Sequence, residues 1–121
     1  MTDPSRQEFW ACLSLKHAPG LGPRTSKRIL ERFGSAARAV EMAGSWREMG
    51  LVTGTQLQAF LAEGWRAHAE EEMAKAEERS IPVLSWADPR FPERLREIPD
   101  PPVFLYAVGD LGLLENPGVA V

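Results

Sequence analysis

The sequence predicts an α+β chain: an all-α module over residues 1–79, then, over 80–121, the first strands of an α/β domain that the chain does not complete. Three observations carry this. Ala18 to Gly34 reads as a tight hairpin running into a helix, with Gly20 and Gly22 flanking Leu21 and Pro23 opening the helix. Short apolar-periodic stretches, punctuated by glycine or serine, then continue to about Arg79, as in a small helical array. From Ile81 the pattern changes to brief β-branched and apolar runs bounded by prolines.

Asp3 before Pro4 is a helix start, and the first helix is expected to run to about Lys16, bringing Phe9, Trp10 and Leu13 to a core with Cys12 buried beside them. At the hairpin, Gly20 and Gly22 are expected to take positive φ. The helix from Pro23 to Phe33 buries Ile29, Leu30 and Phe33 and ends at Gly34. Ser35 caps a short helix from Ala36 to Met42, closed by Gly44, and Ser45 starts another turn carrying Trp46 and Met49. Gly50 to Thr55 repeats the hairpin theme in weaker form, ahead of a helix with Leu57, Phe60 and Leu61 on one face. That helix is expected to continue through Gly64 and Trp65 to about Arg79. Its glutamate-rich end, Glu70 to Glu72 and Glu77 to Glu78, reads as a solvated face.

Ile81 to Trp86 is a short strand, and Phe91 to Ile98 a brief helix with Leu95 and Ile98 inward, broken by Pro99, Pro101 and Pro102. Val103 to Gly109 has the unbroken apolar character of a strand buried on both faces of a parallel or mixed sheet. Val119 to Val121 begins a third strand. Three strands and one helix do not close a core, so this part is read as the opening of a larger domain.

Composition narrows the function. With 44% apolar and 26% charged residues, the chain has the balance of a globular protein, and its net charge of −3 means that any nucleic-acid site is a local patch. The single cysteine excludes an internal disulfide and has no metal-ligand companions, which points to a reducing, cytoplasmic setting. No signal peptide or membrane-spanning run is read at the N-terminus or elsewhere. No cofactor or metal is expected. Neither His17 nor His68 has an acid or nucleophile partner at motif spacing, no nucleotide-binding glycine loop is present, and no enzymatic activity is expected.

The spacing Leu15-x-x-Ala18-Pro19-Gly20-Leu21-Gly22-x-x-x-Ser26-x-x-Ile29 follows the helix-hairpin-helix pattern. Its glycines let a phosphate approach the backbone, and the free amides of the next helix face that anion. From Lys16 to Arg38 six basic residues, Lys16, Arg24, Lys27, Arg28, Arg32 and Arg38, stand against Glu31 alone, a local balance of +5. Gly20, Gly22, Arg24, Lys27 and Arg28 are the candidate DNA-contacting residues. The alternative for the same residues is packing, or docking of a protein partner without DNA affinity.

Phe91-Pro92-x-x-Leu95-x-x-Ile98-x-Asp100-x-Pro102-x-x-Leu105-Tyr106-x-x-Gly109 resembles the signature of the DNA-processing protein A family, DprA or Smf. The resemblance implies an N-terminal helical domain of sterile-alpha-motif-like or helix-hairpin-helix character followed by an extended Rossmann-like domain, here only begun. It also implies a role in natural transformation and recombination, with the full protein binding single-stranded DNA, forming homodimers and loading a RecA-type recombinase. The family's main DNA pocket follows Val-Ala-Val and has no counterpart in these residues, so this chain resembles the N-terminal part. A nucleotide-handling enzyme remains a third reading of the begun domain, on fold grounds alone.

Overall fold

A computed structural model describes residues 4–106. Helix α1 (Pro4–His17) runs through the centre, against α2 (Pro23–Phe33), α3 (Ala36–Glu41), α5 (Arg66–Glu78) and β1 (Val83–Ser85). Between α3 and α5 lie a single 3-10 turn (Ala43–Ser45) and α4 (Gly54–Leu61). After β1 come α6 (Glu93–Glu97) and β2 (Phe104–Tyr106). The Asp3 cap and the third strand at 119–121 lie outside the described residues, as does the end of the 103–109 run.

Helix α1 is central because it is apolar around most of its circumference: Phe9, Ala11, Cys12, Leu13 and Leu15 are all buried. Ser14, also buried, is satisfied by donating to the Ala11 carbonyl at 2.6 Å. Complete burial of Leu13, Leu15, Ile29 and Leu30 contributes about 1.5–3 kcal/mol for each side chain. A second device joins α1 to α3. The Glu8 carboxylate accepts from the backbone amides of Ala36 (2.7 Å) and Ala37 (3.0 Å), while Ser35 accepts from Arg38, so α3 is capped from within and from across the core.

The bounds of α2 fall where proline and glycine place them, with Gly34 left-handed at φ 84° and its amide bonded to Leu30. At the hairpin the expectation of two positive φ values holds for Gly20 (76°) alone. Gly22 is extended (φ −76°, ψ 172°), because it is the N-cap of α2 and a cap residue takes β-region backbone.

The turn expected at Ser45 is present, closed by the Met49 amide on the Ser45 carbonyl at 3.1 Å, but the Ser45 side chain does not cap it. Its hydroxyl donates back to the Met42 carbonyl at 2.8 Å, and residues 46–50 form turns that close at Gly50, φ 73°. Trp46 is wholly buried there and donates its indole N–H to the Ala39 carbonyl at 2.9 Å.

Helix α4 opens on a capping box between Thr53 and Gln56 but does not run on to Arg79. It stops at Leu61, with Glu63 left-handed (φ 60°), and α5 begins afresh at Arg66. The break lets Trp65 fold back, stack on Phe60 at 5.7 Å and donate to the Phe60 carbonyl. Leu61, expected inward, is exposed.

The two strands pair antiparallel, Leu84 opposite Leu105. Val103 and Phe104 are buried and Leu105 and Tyr106 half-buried, and the one described pairing of this run is antiparallel. Ile98 is exposed rather than inward, because α6 ends at Glu97 and the chain extends at Ile98 toward the prolines. Phe9 meets Phe104 edge-on at 5.2 Å, and the Cys12 thiol donates to the Val103 carbonyl at 3.7 Å. Residues on both sides of position 79 thus share one hydrophobic core.

Candidate nucleic-acid interface

Ala18 to Leu21 makes a β-turn closed by the Leu21 amide on the Ala18 carbonyl (3.2 Å), with Pro19 and then left-handed Gly20 at its corners, the signature of type II. Leu21 is buried beneath it, and Pro19 lies against Gly64, where an added Cβ would stand 3.4 Å from the proline ring. The outer surface is open: a Cβ built at Gly20 or Gly22 meets nothing within 4 Å. No side chain caps α2, and Pro23 has no amide hydrogen. The free donors of the first turn are therefore the Arg24 and Thr25 amides, since the Ser26 amide bonds Gly22.

The three cations proposed from the sequence do not converge on the hairpin. The Arg24 guanidinium reaches Asp100 at 3.2 Å, Lys27 donates to the carbonyls of Glu97 (3.3 Å) and Ile98 (3.1 Å), and Arg28 donates to the Gly50 carbonyl at 3.0 Å. Arg24 and Lys27 tie α2 to the Glu97–Asp100 segment, and Arg28 ties it to the turn at Gly50. The Arg24–Asp100 pair is well exposed and contributes about 0.2–1 kcal/mol, so it holds Arg24 only weakly. Lys27 and Arg28 keep donors that these bonds do not use. Arg24, Arg28 and Arg32, four residues apart and all exposed, form one stripe leading away from the hairpin. Arg32 is not among the contacts expected from the sequence; its spacing of four from Arg28 is the signal that places it on this stripe.

A second polar cluster lies across α1, α5 and β2. Glu72 accepts from Lys16 (2.8 Å), the His17 ring Nε2 (2.6 Å) and the Tyr106 hydroxyl (2.6 Å). Burial pushes its carboxyl up, but the bonds from Lys16, Tyr106 and His17 outweigh this and hold it below the usual carboxylate range. Burial and the same carboxylate push the Tyr106 phenol up. His68 stacks on His17 at 5.7 Å between ring centres. Glu72 is thus the acid partner of His17 that motif spacing did not reveal, and it is an inward member of a run read as solvated. Among the described residues no group of three or more His, Cys, Asp or Glu is placed to hold a metal ion.

The signature run is built onto these helices. Phe91 is buried against Trp86, with the Arg96 guanidinium over both rings and donating to the Trp86 and Asp88 carbonyls. Asp100 meets Arg24 and Tyr106 meets Glu72. Residues 82–121 match the family model described as DNA recombination-mediator protein A. This stretch, a third of the chain, is similar to the DprA family. No curated protein and no solved structure matches the chain significantly. Asp100 and Tyr106, both within the matched residues, hold the segment around β2 to the N-terminal helices. Among the described residues no helix is long and apolar enough to cross a membrane.

Proposed function

We propose that the chain takes part in DNA recombination in the manner of a recombination mediator, and that its hairpin adds weak, nonspecific contact to the DNA backbone. The contact residues are Gly20, Gly22, Arg24, Lys27 and Arg28, extended by Arg32. The observation that carries this is the open hairpin and uncapped helix end heading an exposed arginine stripe, in a chain whose C-terminal third matches a recombination-mediator family. Contact of this kind is modest, typically about 10⁻⁴–10⁻⁶ M at physiological salt, and the net charge of −3 keeps it so.

The same proposal takes the helices as a helix-hairpin-helix or sterile-alpha-motif-like module over 1–79 and residues 80–121 as the opening of a Rossmann-like domain. Single-stranded DNA, a RecA-type recombinase and a second copy of the chain are its partners, in the cytoplasm, during natural transformation. No catalytic role is proposed. Fluorescence anisotropy with a short labelled single strand tests the contact. The logarithm of affinity is expected to fall with the logarithm of salt by about 0.7 per phosphate engaged, and Arg24→Gln with Arg28→Gln to flatten that slope. An unchanged slope would remove the assignment.

A second reading draws on the cations themselves. Because Arg24, Lys27 and Arg28 each hold a neighbouring segment, the face serves equally as a brace for protein docking without DNA affinity. It is distinguished by a concentration-dependent mass in light scattering, with no salt-dependent oligonucleotide binding.

A further inference from the structure

The Gly20–Leu21 peptide is held at both ends. Its N–H is bonded to the Ala18 carbonyl, and its C=O accepts from Gln56 Nε2 at 3.0 Å. Gln56 lies thirty-six positions away on the first turn of α4, and its other amide atom is already in use: Oε1 accepts from the Thr53 amide at 2.8 Å, while the Gln56 amide donates to Thr53 Oγ1. One side chain therefore closes the capping box of α4 and clamps the hairpin turn. A peptide plane fixed at both its donor and its acceptor cannot rotate without breaking a bond.

We infer that Gln56 is a positioning residue for the phosphate contact, holding the Gly20 carbonyl engaged so that the face beside Gly22 presents amides rather than an unpaired carbonyl oxygen. This rests on the hairpin reading above. The carbonyl lone pairs repel an anion, whereas the glutamine amide, bonded to that oxygen, brings a donor to the same place. Thr53 and Gly50 to Val52 have no part in the contact; the Gln56 side chain is held by the Thr53 backbone amide, which Thr53→Ala keeps, and not by the Thr53 hydroxyl.

The test separates clamp from cap. Gln56→Glu retains a capping-box residue, since glutamate closes the box as glutamine does, but has no donor for Gly20. Thr53→Ala removes the cap hydroxyl and leaves the donor. In the full chain without DNA, amide hydrogen exchange at Leu21 is expected to quicken about three- to ten-fold in Gln56→Glu, with Leu57 unchanged, and to stay as in the wild type in Thr53→Ala. Gln56→Met, uncharged and without a donor, is expected to weaken binding of the labelled single strand by a similar factor, and Thr53→Ala to leave it unchanged. Unaltered Leu21 exchange in Gln56→Glu overturns the clamp. Faster exchange with full DNA affinity in Gln56→Met overturns its role in binding. A wild-type chain that binds no DNA refutes the hairpin reading and with it the binding role of Gln56, while the exchange data still decide whether the clamp exists.

Discussion

A single methyl group at Gly22 separates what the hairpin does for the fold from what it does for a ligand. Gly22 has negative φ and extended ψ, and an alanine Cβ there meets no atom within 4 Å, so Gly22→Ala introduces neither strain nor a clash. Two small effects on stability oppose each other. Removing a glycine from the unfolded chain stabilises by about 0.4–1 kcal/mol. Alanine is a poorer N-cap than glycine, which costs a similar amount. The net change in urea unfolding is therefore expected to lie within about 0.5 kcal/mol of zero. Oligonucleotide affinity is expected to fall all the same, because the methyl occupies the surface that a phosphate must reach to meet the amides. Gly20→Ala is the contrasting variant: at φ 76° an L-residue is strained and the substitution costs about 1–2 kcal/mol of stability. Equal anisotropy curves for wild type and Gly22→Ala would refute backbone contact at the hairpin. A large loss of stability in Gly22→Ala would refute the geometry from which the contact is argued.

Glu72→Gln is expected to destabilise the chain at neutral pH. Because the folded-state carboxyl is held below its usual range, that contribution is present above the unfolded pKa of about 4.3 and is lost as pH falls through the folded value. The gap between variant and wild type in urea unfolding should therefore close on acidification, and a gap constant with pH would contradict the role given to the charge. Glu8→Ala leaves the Ala36 and Ala37 amides without their acceptor and is expected to cost about 1–2 kcal/mol, read as a lower urea midpoint with an unchanged slope. Cys12, fully buried with its thiol pushed up by burial, should resist a thiol reagent at mildly alkaline pH until urea unfolds the chain. Labelling of the native protein at the unfolded rate would place α1 wrongly.

Local chemistry made some of this structure legible and hid the rest. Pro23 and Gly34 mark the ends of α2 in the sequence because each acts on its own backbone, and the same holds for Ser35 as a cap. The break between α4 and α5 was not legible at Glu63, an ordinary helix former that is left-handed here because Trp65 folds back onto Phe60. Glu8 and Glu72 look like any surface carboxylates in the sequence. Their work depends on helices packed against α1: α3 brings the Ala36 amide to Glu8, and α5 brings Glu72 to Lys16 and His17 on α1. For the candidate site the pattern located the turn and the charge. It left out where the cations reach, since the acceptors at Gly50, Glu97 and Asp100 are brought to α2 only by the fold.

Those acceptors give α2 a mechanical character. Arg24 and Lys27 fasten its first two turns to the Glu97–Asp100 segment, which leads within a few residues into β2, and β2 is fastened in turn to α5 through Tyr106. A shift of α2 is therefore passed through these contacts to β2, inside the family-matched region. Whatever grips the turn can tug directly on that strand, so the hairpin is a lever fixed to the next structural layer and not a separate handle on a slack tether.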